Sequence, residues 1–378
     1  VLCIFHNTIT MNPNLSNISS ENGVYRFTLS GLNVSISNAI RRTILSDIPI
    51  NVIRTETEDV NQCVIHTNTG RLHNEIIKHR LSCIPVHMKD LNFLPGKYEL
   101  EIRIKNDTEN MMFVTTEQFK LKNKENGEYL PMEETRKIFP PNEKTNAYID
   151  FARLRPKMSE ELQGEQLHLT AEFSISTAKV NSMFNVVSKC SYGNTIDRVK
   201  SAAFWEEKRG VLLKDGLSTS ELAFQKKNYD LLDAQRIYLD DSFDFVIQSI
   251  GIYENEEIVY KSCAILQNKI IDIIQFIDSD IIQIITSETT IDHCFDIILQ
   301  DEDYTIGKVL EYILYEKHYK GDKSLTFCGF KKLHPHNTDS RIRIAFDKKA
   351  DKTNVKQILR SACIEAEELF KNIYKLFK

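Results

Sequence analysis

Two stretches of this chain carry the same design 270 residues apart, and that repeat limits the folds open to it more than any other feature. "VYRFTLSGLNVSISNAIRRTILSD" and "HCFDIILQDEDYTIGKVLEYILYE" each read as a strand, a polar loop and an amphipathic helix. The shift superposes Leu29 on Leu299, Ile36 on Ile306, Ile40 on Leu310 and Ile44 on Leu314. Each copy is followed by a long helical seam stepping by fours and threes. The first runs through Val259, Cys263, Leu266, Ile270, Ile273 and Ile277, the second through Val355, Leu359, Ala362, Ala366, Leu369, Ile373 and Phe377. A small sheet crossed by one helix leaves apolar surface uncovered. A second unit of the same design buries both faces, at roughly 25 cal/mol per Å² removed from water. The expected class is therefore α+β, with two related strand-helix units paired in one chain. Covalent linkage raises their effective concentration enough to make the pairing nearly obligatory. The simpler alternative is two unrelated domains that touch.

The first unit reads as interrupted. Residues 105–150 are more polar, and "NKENGEYLPMEETRK" and "FPPNEK" supply turn signals with little core material, which suggests a loop-rich, mostly β insert. "AKVNSMFNVVSKCSYGNT" reads as a mixed loop, residues 201–238 as a helix around "AAFWEEK" followed by an ambiguous charged stretch, and 279–289 as the connection between the halves. In the opening helix, Ser35 or Ser37 is the expected cap and Pro49 closes the segment.

Charge and cysteine usage narrow the function. Lys and Arg total 48 against 53 acidic residues, a formal charge of -5, so non-specific nucleic-acid binding by the whole surface is disfavoured. The eight cysteines, at 3, 63, 83, 190, 263, 294, 328 and 363, form no CxxC pair and read as buried free thiols. No apolar run reaches the roughly 18 residues of a membrane span. The opening "VLCIFHNTITMNPNL" lacks a basic region, so an intracellular, soluble protein is expected.

Catalytic signatures are missing: there is no phosphate-cradling glycine loop, no GxSxG elbow and no DxD cluster to hold magnesium. Asp301, Glu302 and Asp303 stand directly before a helix and suit amide capping, with Thr305 as a second cap. His334 and His336, separated by Pro335 and preceded by Lys331 and Lys332, read as a restricted turn between strands rather than a ligand set. His79 and His87 read as framework or surface residues. The adjacent Arg41 and Arg42 point about 100° apart on a helix, so they cannot both lie on the apolar stripe. On spacing alone they form a solvated helix face.

The motifs "SNAIRRTILSDIP", "IIKHRLSCIPV", "AKVNSMFNVVSKCSYGN" and "DSFDFVIQSIGIY" resemble the third-largest subunit of eukaryotic RNA polymerase II, the relative of the archaeal D-type and bacterial alpha subunits. "EDYTIGKVLEYIL", "FCGFKKLHPH" and "SRIRIAF" resemble its dimerisation partner, the eleventh subunit, called L in archaea. The fusion is similar to the assembly subunit of polymerases of large cytoplasmic DNA viruses.

The resemblance implies a discontinuous dimerisation domain over residues 20–60 and 160–280, an insert over 61–165 and an L-like domain over 285–378. It implies an interface formed by Ile36, Ile40, Ile44, Leu266 and Ile270 with Ile306, Leu310, Leu314, Leu359 and Ala366. It also turns Arg41 and Arg42 into expected contacts to a large subunit. The implied role is a non-catalytic platform for two large catalytic subunits, with a small accessory subunit similar to the tenth. Nucleic acid would be met only through the complex, and magnesium would sit only in the large-subunit active centre. A viral source would place the protein in the host cytoplasm or viral factory and in the virion. Some relatives hold zinc or an iron-sulfur cluster in the insert, but Cys63 and Cys83 are too few for such a site. The competing class is a stand-alone interaction scaffold.

Overall fold

The computed structural model describes residues 11–159 and 163–378, so the apolar opening stretch up to residue 10, with Cys3, lies outside the described residues. Along the chain come β1 (Asn14–Glu21), β2 (Val24–Ser30), α1 (Val34–Ser46), β3 (Ile50–Val52), β4 (Cys63–Asn68) and α2 (Asn74–Ser82). They are followed by β5 (Tyr98–Lys105), β6 (Met112–Thr115), β7 (Lys120–Asn123), α3 (Met132–Ile138), β8 (Asp150–Leu154), β9 (Gln166–Glu172) and β10 (Ser174–Ser176). Next are β11 (Val187–Ile196), α4 (Arg198–Lys214), α5 (Thr219–Leu231), β12 (Tyr238–Ser249) and α6 (Asn255–Asp278). The chain ends with β13 (Gln283–Thr286), β14 (Cys294–Leu299), α7 (Tyr304–Leu314), β15 (Leu325–Lys331), β16 (Ser340–Phe346) and α8 (Lys352–Leu376). These elements form two compact units. Among the described residues, one comprises 11–43 with 189–248 and 259–378, and the other comprises 44–159 and 163–188 with 249–258.

The first unit holds two four-stranded sheets, ordered β1-β2-β12-β11 and β13-β14-β16-β15. In the first sheet Phe27 lies opposite Phe245 and Leu29 opposite Phe243, and all four are buried. In the second, Phe295 lies opposite Ile344 and Ile297 opposite Ile342, again buried. Helices α6 and α8 run antiparallel. Tyr260 meets Tyr374 at a ring separation of 5.6 Å, Gln267 Nε2 donates to Glu367 at 3.3 Å, and Arg360 Nε donates to Asp278 at 2.8 Å. Every member of both predicted seams is buried, and Phe377 at the end of α8 packs edge-on against Phe27, 4.9 Å between centroids. Two apolar stripes thus cover each other, as period-3.6 patterning requires.

The second unit contains the sheet β4-β9-β5-β7 with the ribbons β6-β8 and β3-β10. Residues 105–150, expected to carry little core material, contribute to a packed aromatic centre: Phe119 stands edge-on to Phe139 at 5.2 Å and to Phe151 at 5.6 Å. Val114, Leu121 and Ile138 are buried in the same cluster. These residues are spread singly among polar ones, so local periodicity hides them and only tertiary packing gathers them.

Other local expectations are corrected. The second part of "AKVNSMFNVVSKCSYGNT" is strand β11, not loop, ending a sheet whose Tyr192 packs on Phe243 and Phe245 at 5.5 and 5.3 Å. Small polar residues disfavour a strand locally, and pairing in the sheet overrides that preference. The segment 279–289 contains β13, which pairs with β14. Residues 201–238 form the α4–α5 hairpin around Trp205 and Tyr229, 5.3 Å apart. The cap of α1 is Asn33, whose side chain accepts from the Ser35 amide at 2.9 Å. Ser35 and Ser37 do not cap it; their hydroxyls are buried without a partner among the described residues.

Candidate assembly interface

Helices α1 and α7 occupy matching places in the repeat, and both lay an isoleucine-leucine stripe inward. Ile36, Ile40, Ile44, Ile306, Leu310, Leu314, Leu266, Ile270, Leu359 and Ala366 are each 1 % exposed or less. A side chain at any of these positions can contribute only to packing. The chemistry available to a partner lies beside the stripes.

Arg42 leaves the apolar face of α1 and reaches the start of α7. Its Nη2 donates to Asp303 at 2.6 Å and its Nε to the Thr305 hydroxyl at 2.9 Å. Asp303 is also the N-cap of α7, accepting from the Thr305 amide at 2.8 Å. Burial works to raise the Asp303 carboxyl, but the hydrogen bonds from Thr305 and the Arg42 charge outweigh it and hold it below its ordinary value. At the other end of the pair, Asn33 caps α1 and lies beside the Tyr312 side chain of α7. The 270-residue shift takes Asn33 onto Asp303 and Arg42 onto Tyr312. The two contacts are therefore reciprocal: each helix sends one long polar side chain to the cap of the other, as in an isologous interface.

Arg41 is placed differently. It is half-buried, and its Nε and Nη2 donate to Asn38 on the same helix at 3.1 and 2.9 Å. Residue spacing predicted that the two arginines diverge, and they do. It did not point to Asp303 and Thr305 as partners of Arg42, although the repeat register held that information in the correspondence of the two caps.

His334 and His336 lie exposed in the β15–β16 turn, where the His336 amide donates to His334 Nδ1 at 3.2 Å. His87 is tied to the Gly251 carbonyl at 3.1 Å, and burial holds its imidazole below its ordinary value. Neither arrangement offers a proton-transfer pair. The insert cysteines do not fit a closed metal site. Cys63 is buried in β4 with its thiol pushed up to about 11 by burial, whereas Cys83 is exposed at the end of α2. Among the described residues no three His, Cys, Asp or Glu side chains converge to hold a metal ion, and no helix is long and apolar enough to cross a membrane.

Comparison with known proteins matches residues 26–270 to the RNA polymerase Rpb3/Rpb11 dimerisation domain. This chain belongs to the Rpb3/Rpb11 dimerisation family. A second match to the same domain description covers residues 294–375, so one polypeptide carries two dimerisation domains of RNA polymerase. The long span of the first match agrees with an insertion within it. DNA-directed RNA polymerase subunit Rpo3 of Pyrococcus furiosus is 41 % identical over 61 residues, 16 % of this chain and 21 % of the relative. Rpo3 of Thermococcus kodakarensis is 37 % identical over 76 residues, 20 % of this chain and 27 % of the relative. The human RPAC1 subunit of RNA polymerases I and III is 34 % identical over 61 residues, 16 % of each chain. This chain spans about a quarter or less of the length of these relatives. The family match supports the role of an RNA polymerase assembly subunit.

Proposed function

We propose that this chain is the non-catalytic platform on which the two large subunits of a multisubunit DNA-directed RNA polymerase assemble, and that its halves form an intramolecular pseudo-heterodimer. The observation that carries the reading is the reciprocal pair of contacts, Arg42 with Asp303 and Tyr312 with Asn33, between helices that correspond in the repeat. Reciprocity is what a twofold interface between two related subunits produces, and fusion keeps it at fixed stoichiometry. A rigid double platform lets two large subunits dock in register and complete an active centre elsewhere. Magnesium and nucleic acid belong to that centre, and a small subunit similar to the tenth completes the assembly. The fused arrangement is that of a viral-type polymerase, working in the host cytoplasm or viral factory and carried in the virion.

With the guanidinium of Arg42 held by α7, Arg41 is the member of the pair we assign to a large subunit. Its bonds to Asn38 are local and exchangeable, and an Arg fork suits a carboxylate or backbone carbonyl on a partner. Co-expression of the full chain with the two large subunits, followed by affinity capture, tests both statements. Capture of both subunits is expected, and Arg41→Ala should reduce it more than tenfold, as loss of a charged hydrogen bond in a desolvated interface costs about 2 to 5 kcal/mol. Undiminished capture by Arg41→Ala rejects the contact. No capture by the wild-type chain rejects the polymerase role in favour of a stand-alone scaffold.

A further inference from the structure

The second sheet of the first unit presents a face, opposite its helix-covered side, whose charges are poorly balanced. On β15, Gly329 and Lys331 pair with Arg343 and Arg341 of β16, and on β14, Asp296 and Ile298 pair with the same two arginines. The side chains of Lys331, Arg341, Arg343 and Asp296 therefore share one face. Asp296 is 3 % exposed and accepts Arg343 in a two-pronged pair at 2.6 and 2.8 Å, with Arg341 Nη1 3.7 Å away. One carboxylate serves two guanidinium groups. Lys331, exposed directly across from Arg341, has no ion-pair partner among the described residues. Like charges directly opposite on antiparallel strands destabilise the pair, and Arg341 Nε is buried without an acceptor. On the same face stands one exposed apolar group, Phe327 at 39 %, two residues from Gly329 along β15.

We propose that this face docks an acidic, extended segment of a partner protein, with carboxylates meeting Lys331 and Arg341 and an apolar residue meeting Phe327. A carboxylate in that position would separate the opposed cations by meeting Lys331 and the exposed end of the Arg341 guanidinium, so charge complementarity singles out the occupant. The floor is flat enough for an extended chain. Gly329 carries no side chain, and the Phe327 ring leans over it so closely that a Cβ there would sit 3.1 Å from the ring tip. Single-stranded nucleic acid is the poorer fit. It is held by successive aromatic rings along a basic groove, whereas this face offers one exposed ring on a chain of net charge -5.

The test uses the full chain and a fluorescein-labelled peptide alternating Glu with Val and ending in Phe, followed by anisotropy at low salt. Saturable binding is expected. It should be lost when Gln replaces Glu in the peptide, weaken as salt rises, and fall about tenfold or more in the Lys331→Gln/Arg341→Gln chain. Thermal melting separates this from unfolding, because that chain should still melt cooperatively well above the assay temperature, with Asp296 still held by Arg343. Three results would overturn the proposal: no binding of the acidic peptide, equal binding by the double variant, or tighter binding of an oligouridylate than of the peptide at the same ionic strength. Polymerase capture is measured separately, so failure here leaves the platform reading untouched.

Discussion

Arg42 and Asp303 stand 261 residues apart in sequence and 2.6 Å apart in space. The carboxylate that takes the guanidinium is also the cap of α7, so one group closes a helix and ties it to the repeat partner of that helix. Their side chains remain 36 % and 34 % exposed, which keeps the Coulomb gain modest. Asp303→Ala should cost about 1 to 2 kcal/mol, mainly through the lost cap, and Arg42→Ala about 1 kcal/mol or less. A double-mutant cycle by urea unfolding should return a coupling energy above zero, and strict additivity would show that the pair does not hold the helices.

Ile40 and Arg41 are neighbours with opposite expected outcomes. Ile40 is fully buried, so Ile40→Asp places an unpaired charge in the core and should cost above about 4 kcal/mol, with loss of cooperative melting. Arg41→Ala should leave the circular dichroism spectrum and melting midpoint nearly unchanged. A folded, cooperative Ile40→Asp protein would contradict the packing described.

Gly307 lies on the buried face of α7 against the ring of Phe330, which a Cβ would strike directly. Gly307→Ala gains helix propensity but overpacks this contact, and the net result should be a loss of about 1 to 3 kcal/mol. Phe330→Leu in the same chain should recover part of it. Stabilisation by Gly307→Ala alone, measured by urea midpoint, would refute the clash.

Asp296 gives the second sheet an acid-sensitive element. Hydrogen bonds from Arg343 come first, and with the charges of Arg343 and Arg341 they outweigh burial, holding the carboxyl below its ordinary value of 3.8. The unfolded chain therefore binds the proton more readily. The contribution is complete above about pH 5 and disappears as pH falls through the unfolded and then the folded value. Asp296→Asn should be less stable than wild type at pH 7, with the gap narrowing below about pH 4. A gap that stays constant from pH 7 to acid would exclude the linkage.

Cleavage of the chain between Ser279 and Ile282, in the connection from α6 to β13, should leave the two pieces associated. The α6–α8 seam and the contacts of Arg42 and Arg360 all cross between them. A protease site inserted there, cut under native conditions and analysed by gel filtration, should give one peak. Two separate peaks would show that covalent linkage alone kept the halves together.

The sequence determined which surfaces must be hidden. The stripes of α1 and α7 and the seams of α6 and α8 follow from period-3.6 patterning, and each predicted position is buried because apolar area gains free energy wherever it leaves water. The repeat register likewise announced two units of one design. Tertiary structure decided what patterning does not encode. Phe119, Phe139 and Phe151 form a core in the insert although polar residues separate them along the chain. "VSKCSYGNTI" becomes a strand because a neighbouring strand pairs with it. The partners of Arg42 within the chain were decided in the same way. A guanidinium on a helix flank is compatible with solvent, with a foreign subunit or with its own chain, and the arrival of Asp303 and Thr305 within hydrogen-bond distance gave it partners in its own chain. Burial is dictated by a residue's own side chain, whereas the partner of a polar group depends on which distant segment the fold brings beside it.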